Sequence, residues 1–205
     1  MTDDRLLIGH AEPDPLEVGP LPIVPGQSRF GPQVDAFDAR VDALLERLRG
    51  HPVADQLFTT ASHVGDFSLI WHASGIARSA VTRRPDQFVV LAVMLGVESL
   101  VVNQGVKRLF RRERPTVTGD DRLRVRTPRT SSFPSGHASS AAFAAMVLSG
   151  WDGPRVGMLW WKLAAIVGIS RAYVRIHHGS DVVAGALVGS LLGLVGRRIA
   201  RRLAP

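Results

Sequence analysis

No cysteine occurs in the 205 residues. Disulfides, thiolate metal sites and cysteine nucleophiles are therefore excluded. Compartment is not decided by this, since many membrane and cytosolic proteins lack disulfides. No cleavable secretion signal is expected, because Met1-Thr2-Asp3-Asp4-Arg5 is acidic and no long apolar stretch follows it. No basic stripe interleaved with aromatics is present. The formal net charge of +7 is therefore assigned to basic loops beside anionic lipid, and nucleic acid is not expected as a partner. Charged residues make up 21% and hydrophobic residues 45%, averages that suit a soluble protein. They conceal a segregation: a polar, proline-containing first third is followed by apolar blocks.

The length suits one domain with a real core. Residues 1–32 carry Pro13, Pro15, Pro20, Pro22, Pro25 and Pro32, which predicts an extended polar arm. Residues 33–65 are expected to form an amphipathic helix and a connector. Val34, Phe37, Val41, Leu44, Leu45 and Leu48 fall on one side, with Asp35, Asp38, Asp42, Glu46 and Arg49 away from that stripe. Such a helix either lies on a bilayer surface or packs on the domain. Residues 66–205 form the main domain. Its apolar blocks run over 67–81, 88–106, 138–151, 156–169 and 182–196. The second is the clearest membrane span, with a length close to that of the hydrocarbon core. The last three need flanking helical residues that face the bundle. The expected fold is an all-α integral membrane bundle with about five transmembrane helices. Gly185, Gly189 and Gly193, spaced by four, offer a small face for close helix contact. Glu98, the one charge inside the clearest span, is read as structural.

Three segments at the edges of these blocks carry chemistry. Lys107-Arg108-Leu109-Phe110-Arg111-Arg112-Glu113-Arg114-Pro115 follows the clearest span. Lys107 and Arg114 are two helical turns apart and can share a face, and Pro115 marks a helix end. Lysine brings a point charge, arginine a fork that matches two phosphate oxygens. Alone, this segment reads as a membrane-flanking basic cluster. Ser131-Ser132-Phe133-Pro134-Ser135-Gly136-His137 precedes the third block. It fits a turn opening a helix, whose free N–H groups bind anions. Ser135 adds a hydroxyl, and His137 stands where it can protonate a leaving oxygen. Alone, it reads as a capping turn with a surface histidine. In Ser170-Arg171-Ala172-Tyr173-Val174-Arg175-Ile176-His177-His178-Gly179-Ser180-Asp181, helical spacing puts His177 and Asp181 on one face. A carboxylate there accepts Nδ1–H and leaves Nε2 basic, as a nucleophile or base requires. If each block crosses once, all three segments meet on one membrane face.

The combined pattern Lys-x6-Arg-Pro, Pro-Ser-Gly-His and Ser-Arg-x5-His-x3-Asp resembles the type 2 phosphatidic acid phosphatase superfamily, whose core is shared with vanadium haloperoxidases. The match spans residues 66–196. The resemblance implies a metal-independent lipid-phosphate phosphatase without cofactor. His177 would be the nucleophile that becomes phosphohistidine, Asp181 its orienting partner and His137 the general acid. Lys107, Arg114, Ser135, Gly136 and Arg171 would bind the phosphate oxygens in place of a metal. His178 is not a signature position. Arg175, where many members carry a small residue, is expected to reach a second anionic group on the substrate or to face lipid headgroups.

Five spans, against the six of many lipid-phosphate members, resemble the actinobacterial prenyl-phosphate phosphatases. Among these are the decaprenylphosphoryl-5-phosphoribose phosphatases of arabinan precursor synthesis. The expected setting is a bacterial plasma membrane. The untranslocated arm and the basic loop over 107–129 favour a site facing the cytoplasm, although the tail arginines favour the reverse. Undecaprenyl diphosphate, phosphatidic acid and phosphatidylglycerophosphate stay open as substrates, as does a homo-oligomer. A haloperoxidase is disfavoured by the apolar blocks, and a non-catalytic membrane scaffold by the intact signature.

Overall fold

A computed structural model of the chain describes residues 30–115, 123, 125 and 130–205. The arm predicted over 1–32 lies outside the described residues up to residue 29, as does most of the basic loop after Pro115. Among the described residues every regular element is helical. Helices α1 (Pro32–Glu46) and α2 (Pro52–Gly65) each carry proline in the first turn, where its missing N–H costs nothing. A short turn, Asp66–Ser68, leads into α3 (Leu69–Thr82). Helix α4 (Pro85–Leu100) continues through a wide turn, Val101–Gly105, and a tight one, Val106–Leu109. Helix α5 covers Gly136–Tyr173 and α6 covers Gly179–Leu203.

Two of the expected blocks become segments long and apolar enough to cross a membrane, Pro85–Leu109 and Gly179–Leu203, each of 25 residues. At 1.5 Å per residue such a segment is about 37 Å long, enough for the hydrocarbon core. Their apolar side chains point outward: Val89, Val93, Val97 and Leu100 on α4, and Leu187, Leu191, Leu194 and Val195 on α6, are all exposed. In water such surfaces would drive aggregation; in a bilayer they face lipid. The bundle is a membrane domain, as its hydropathy predicts.

The blocks at 138–151 and 156–169 are two arms of one element. Gly153, at φ 75° and followed by Pro154, breaks α5. Only glycine tolerates that backbone without penalty. The arms fold back on each other, bringing Gly157 beside Ser149 and Gly168 beside Ala138. The first arm is the buried centre of the bundle, with Ala141, Ala144, Ala145, Val147 and Leu148 almost inaccessible. Small residues there let α6 approach: Gly185 and Gly189 lie against the carbonyls of Ser135 and Ser139, so closely that a Cβ would overlap them. The spacing-by-four glycines thus work as packing residues. Around this centre Trp71, Leu91, Leu95, Phe143 and Val167 complete the core.

Of the two placements open to α1, a bilayer surface or the domain, its contacts show packing on the domain, with Leu45 against the cluster of Tyr173, Val174 and Ile176. Phe37, Leu44 and Leu48 are exposed, while Asp38 and Arg49 are buried. Its acidic side points into the protein, toward arginines at one end of the bundle, and part of its apolar side points out. A water-facing helix would do the reverse.

Candidate active site

The three chemistry-bearing segments meet at the end of the bundle where α4 ends, α5 begins and finishes, and α6 begins. The Ser135 N–H donates to the Asp181 carbonyl at 2.9 Å, joining the second segment to the third. Arg114 joins the first to both: Nη1 donates to the Ile176 carbonyl at 2.8 Å, and Nη2 to the Ser131 carbonyl at 3.3 Å.

His177 lies in the short link between α5 and α6 and is only 3% exposed. Its Nε2 is 3.2 Å from Arg114 Nη1. A guanidinium can only donate, so Nε2 is the acceptor and the ring proton sits on Nδ1. That proton faces Asp181, whose Oδ2 is 3.6 Å from Nδ1. The distance is longer than the direct hydrogen bond that the four-residue spacing predicts. Both carboxylate oxygens are already engaged, Oδ1 by Arg112 Nη1 at 2.6 Å and Oδ2 by the His178 N–H at 2.8 Å. Asp181 therefore also caps α6 while it faces the imidazole. Burial, above all, pushes the His177 imidazole down to about 3; Asp181 opposes this and the Arg114 charge adds to it. The ring is neutral near pH 7, with its lone pair at Nε2 directed at Arg114.

Arg171 is 1% exposed at the end of α5. Its Nη1 is held by the carbonyl and hydroxyl of Ser62 on α2. Its Nε and Nη2 are buried without a hydrogen-bond partner among the described residues. Buried guanidinium donors left open in this way are costly unless an anion is their normal partner. Lys107, also buried, lies within electrostatic range of Arg114, Arg171 and Asp181. Ser135 caps α5: its Oγ accepts the Ala138 N–H at 3.4 Å. Its own N–H is taken by Asp181, so the open amides of the turn are those that follow, at Gly136 and His137. Gly136 is tight against Asn103, whose Oδ1 would be 2.9 Å from an added Cβ. All eight sequence-predicted residues thus converge on one end of the bundle.

Several neighbours come from outside the motifs. His137 Nε2 is 2.9 Å from Asp66 Oδ1 in the turn between α2 and α3. That turn is strained, since Phe67 and Ser68 both have positive φ (52° and 58°), at about 1–2 kcal/mol each. Arg112 bridges two carboxylates, Asp181 and Asp38, each at 2.6 Å. Asp38 in turn accepts the Ser180 N–H at 2.7 Å and its hydroxyl at 2.8 Å. Arg49 donates to the carbonyls of Tyr173 and Ala172 at the end of α5. Arg175 does not reach toward a substrate or headgroup as expected. Its guanidinium is held by Glu46 at 2.6 Å and Asp42 at 3.4 Å on α1. Glu98 accepts a hydrogen bond from the Ser139 hydroxyl inside the bundle. Among the described residues no group of three or more His, Asp or Glu is arranged to hold a metal ion.

A helical membrane domain with two histidines and a cluster of buried cations at one end is built for phosphoryl transfer. Residues 87–204 match the PAP2 superfamily, and the chain belongs to that family. A decaprenylphosphoryl-5-phosphoribose phosphatase of Mycolicibacterium smegmatis is 33% identical over 151 residues, covering 72% of this chain and 80% of the relative. Its counterpart in Mycobacterium tuberculosis is 29% identical over 69% of this chain and 81% of its own length. In solved structures, the bundle is similar to a transmembrane PAP2-type phosphatidylglycerolphosphate phosphatase of Bacillus subtilis. That match has a TM-score of 0.66 and 23% identity, over 83% of this chain and 88% of the other. LpxE of Aquifex aeolicus gives a TM-score of 0.64 at 25% identity, over 79% and 95%. The chain is a membrane enzyme that hydrolyses lipid phosphates.

Proposed function

We propose that this enzyme hydrolyses a prenyl-linked phosphomonoester, with decaprenylphosphoryl-5-phosphoribose as the first substrate to test, through a phosphohistidine at His177. The observation that carries the mechanism is the alignment at His177: proton on Nδ1 toward Asp181, lone pair on Nε2 toward the cations. In the first step Nε2 attacks phosphorus and the bond to the leaving oxygen breaks. His137 gives its proton to that oxygen, so the alcohol departs neutral. In the second step water attacks phosphorus, the P–N bond breaks, and the water's proton passes to His137. Asp181 steadies the Nδ1–H as positive charge develops on the ring. Arg171 supplies the open donors for the phosphate oxygens, with Arg114, Lys107 and the Gly136 and His137 amides around them. These cations and amides supply the neutralising charge, so added metal is not required for the reaction. The two mycobacterial relatives support the choice of lipid, because each is covered over about four-fifths of its length.

The same reading sets the enzyme in a bacterial plasma membrane with the site facing the cytoplasm. Supporting this, α1 and the basic segment over 107–114 border the site end.

The test is phosphate release by detergent-reconstituted protein in the presence of chelator. Decaprenylphosphoryl-5-phosphoribose, undecaprenyl diphosphate and phosphatidic acid are offered in parallel, with His177→Ala beside the wild type. Chelator-resistant release, preferring the first lipid and lost in His177→Ala, is expected. Release that survives in His177→Ala would refute the phosphohistidine, and a preference for another lipid would refute the substrate.

A further inference from the structure

The turn joining α2 to α3 lies outside all three motif segments, yet three separate features aim it at His137. Gly65 lies against the Cδ2–Nε2 edge of the ring, where an added Cβ would be 2.8 Å from Cδ2 and 3.5 Å from Nε2. Any other residue would push the imidazole away. Asp66 then meets the ring nitrogen Nε2 at 2.9 Å. Phe67 and Ser68 follow, both in the left-handed region that non-glycine residues avoid. Strain of that kind persists where the surroundings enforce it, and it collects at working sites. Here it carries the chain away from α2 fast enough to leave the carboxylate against the histidine.

We infer that Asp66 is a positioning residue for proton transfer: it accepts the Nε2–H of His137 and so presents Nδ1–H to the leaving oxygen. This rests on the reading of His137 as the general acid. Cδ2 faces Gly65, so Nδ1, across the ring, is turned away from it. Nδ1 makes no hydrogen bond among the described residues. When Nδ1–H passes to the leaving oxygen the ring becomes neutral, with Nε2–H still on Asp66. The proton taken from water in the second step returns to Nδ1. Burial, above all, with the Arg171 and Lys107 charges, pushes the His137 imidazole below its ordinary value; the Asp66 carboxylate on the far nitrogen opposes this and holds the ring's plane during transfer. His137 depends on Asp66 as His177 depends on Asp181, and the two carboxylates come from different parts of the chain. Asp66 also stands 3.9 Å from Arg171 Nη1, so one carboxylate touches both the acid and a phosphate-site cation.

The test compares leaving groups. A lipid phosphate expels an alkoxide and needs a proton; 4-nitrophenyl phosphate expels a stable phenolate and needs little help. Both are assayed on reconstituted wild type, His137→Ala, Asp66→Asn and Asp66→Glu. Asp66→Asn is expected to lose roughly 10–100-fold in kcat on the lipid phosphate, part of the ~10²–10⁴ a general acid contributes. The loss on the aryl phosphate is expected to be at least tenfold smaller, with the same contrast, larger, in His137→Ala. Asp66→Glu should recover part of the lipid activity. Equal losses of Asp66→Asn on both substrates would make the residue merely structural and overturn the inference, as would no loss on either. If His137→Ala shows the contrast and Asp66→Asn does not, only the role of Asp66 fails. If His137→Ala shows no contrast, the general-acid reading itself fails.

Discussion

Arg112 is the residue whose removal should be felt most widely, and its effect can be worked from the structure. It sits between two buried carboxylates, Asp38 on α1 and Asp181 on α6, at 2.6 Å from each. Its side chain is 7% exposed, and theirs are 8% and 0%. Replacing it with methionine keeps the stem but leaves the two carboxylates without their shared cation. Removing one partner from a buried ion pair costs about 3–5 kcal/mol, mostly as the penalty on the charge left behind. Asp38→Asn is milder: it keeps an acceptor for the Ser180 N–H and leaves a neutral Arg112–Asp181 pair, so about 1–2 kcal/mol is expected. The double variant Asp38→Asn/Arg112→Met should then be less unstable than the sum, by about 1–3 kcal/mol, because one orphaned charge is gone. Thermal unfolding of the three variants in one detergent measures this. The hydrolysis rate supplies a second reading: Asp181 loses one of its two anchors, and a shift of about 1 Å at the nucleophile costs on the order of 10²-fold. Additive losses, within about 0.5 kcal/mol, would refute the bridged arrangement.

Two further outcomes follow from the same geometry. The folded His177 imidazole sits at about 3, well below the ~6.5 of an exposed ring. Below pH 6.5 the unfolded chain therefore binds a proton that the folded one refuses. Stability rises with pH through the window from about 3 to 6.5 and falls as acid is added, at up to roughly 1.4 kcal/mol per pH unit from this group. His177→Gln should flatten the melting-temperature slope between pH 6.5 and 4.5; an unchanged slope would mean that the ring is not held neutral. The orientation can be read with a single introduced cysteine, because the chain has none of its own. Leu57→Cys, exposed on α2 near the site end, should resist a membrane-impermeant maleimide in intact cells and react after lysis. Labelling in intact cells would put the site on the outer face.

The residues that form the core of the site were legible because the chemistry is compressed into short segments. Lys107, Arg114, Ser135, Gly136, His137, Arg171, His177 and Asp181 each stand at a fixed spacing beside an apolar block, and helix-end geometry carries them together. Their supports were not legible, for two physical reasons. Asp38, Arg49 and Asp66 lie in the polar segment before the first apolar block, where charge ordinarily signals a solvated face. Periodicity identifies the helix at α1 but not which of its sides meets the protein: Asp38 is buried while Phe37 and Leu44 are exposed. Arg112 was hidden differently, as one basic residue among five over 107–114; composition cannot show which of them turns inward. For Asp66 the one signal was its position, a carboxylate at the edge of an apolar block immediately after a glycine.

The arginines divide by what occupies their donors. The link from Tyr173 to His178 is irregular backbone at the end of a membrane bundle, and its carbonyls need partners. Arg49 takes those of Ala172 and Tyr173, and Arg114 takes that of Ile176. Arg112 and Arg175 are held by carboxylates. All four set the shape of the loop around His177; the charges of Arg49, Arg112 and Arg175 are paired with carboxylates, whereas Arg114 donates to neutral carbonyls. Arg171 is different, with two buried donors left over after Ser62 has taken Nη1. On the proposed reading a phosphate would gain most from Arg171, whose donors it need not win from another acceptor. At Arg114 it must compete with the Ile176 carbonyl and with Nε2 of His177 itself. In the proposed mechanism, phosphate oxygens that drew Arg114 Nη1 away would release the lone pair on Nε2 next to the phosphorus, making binding and activation of His177 one event.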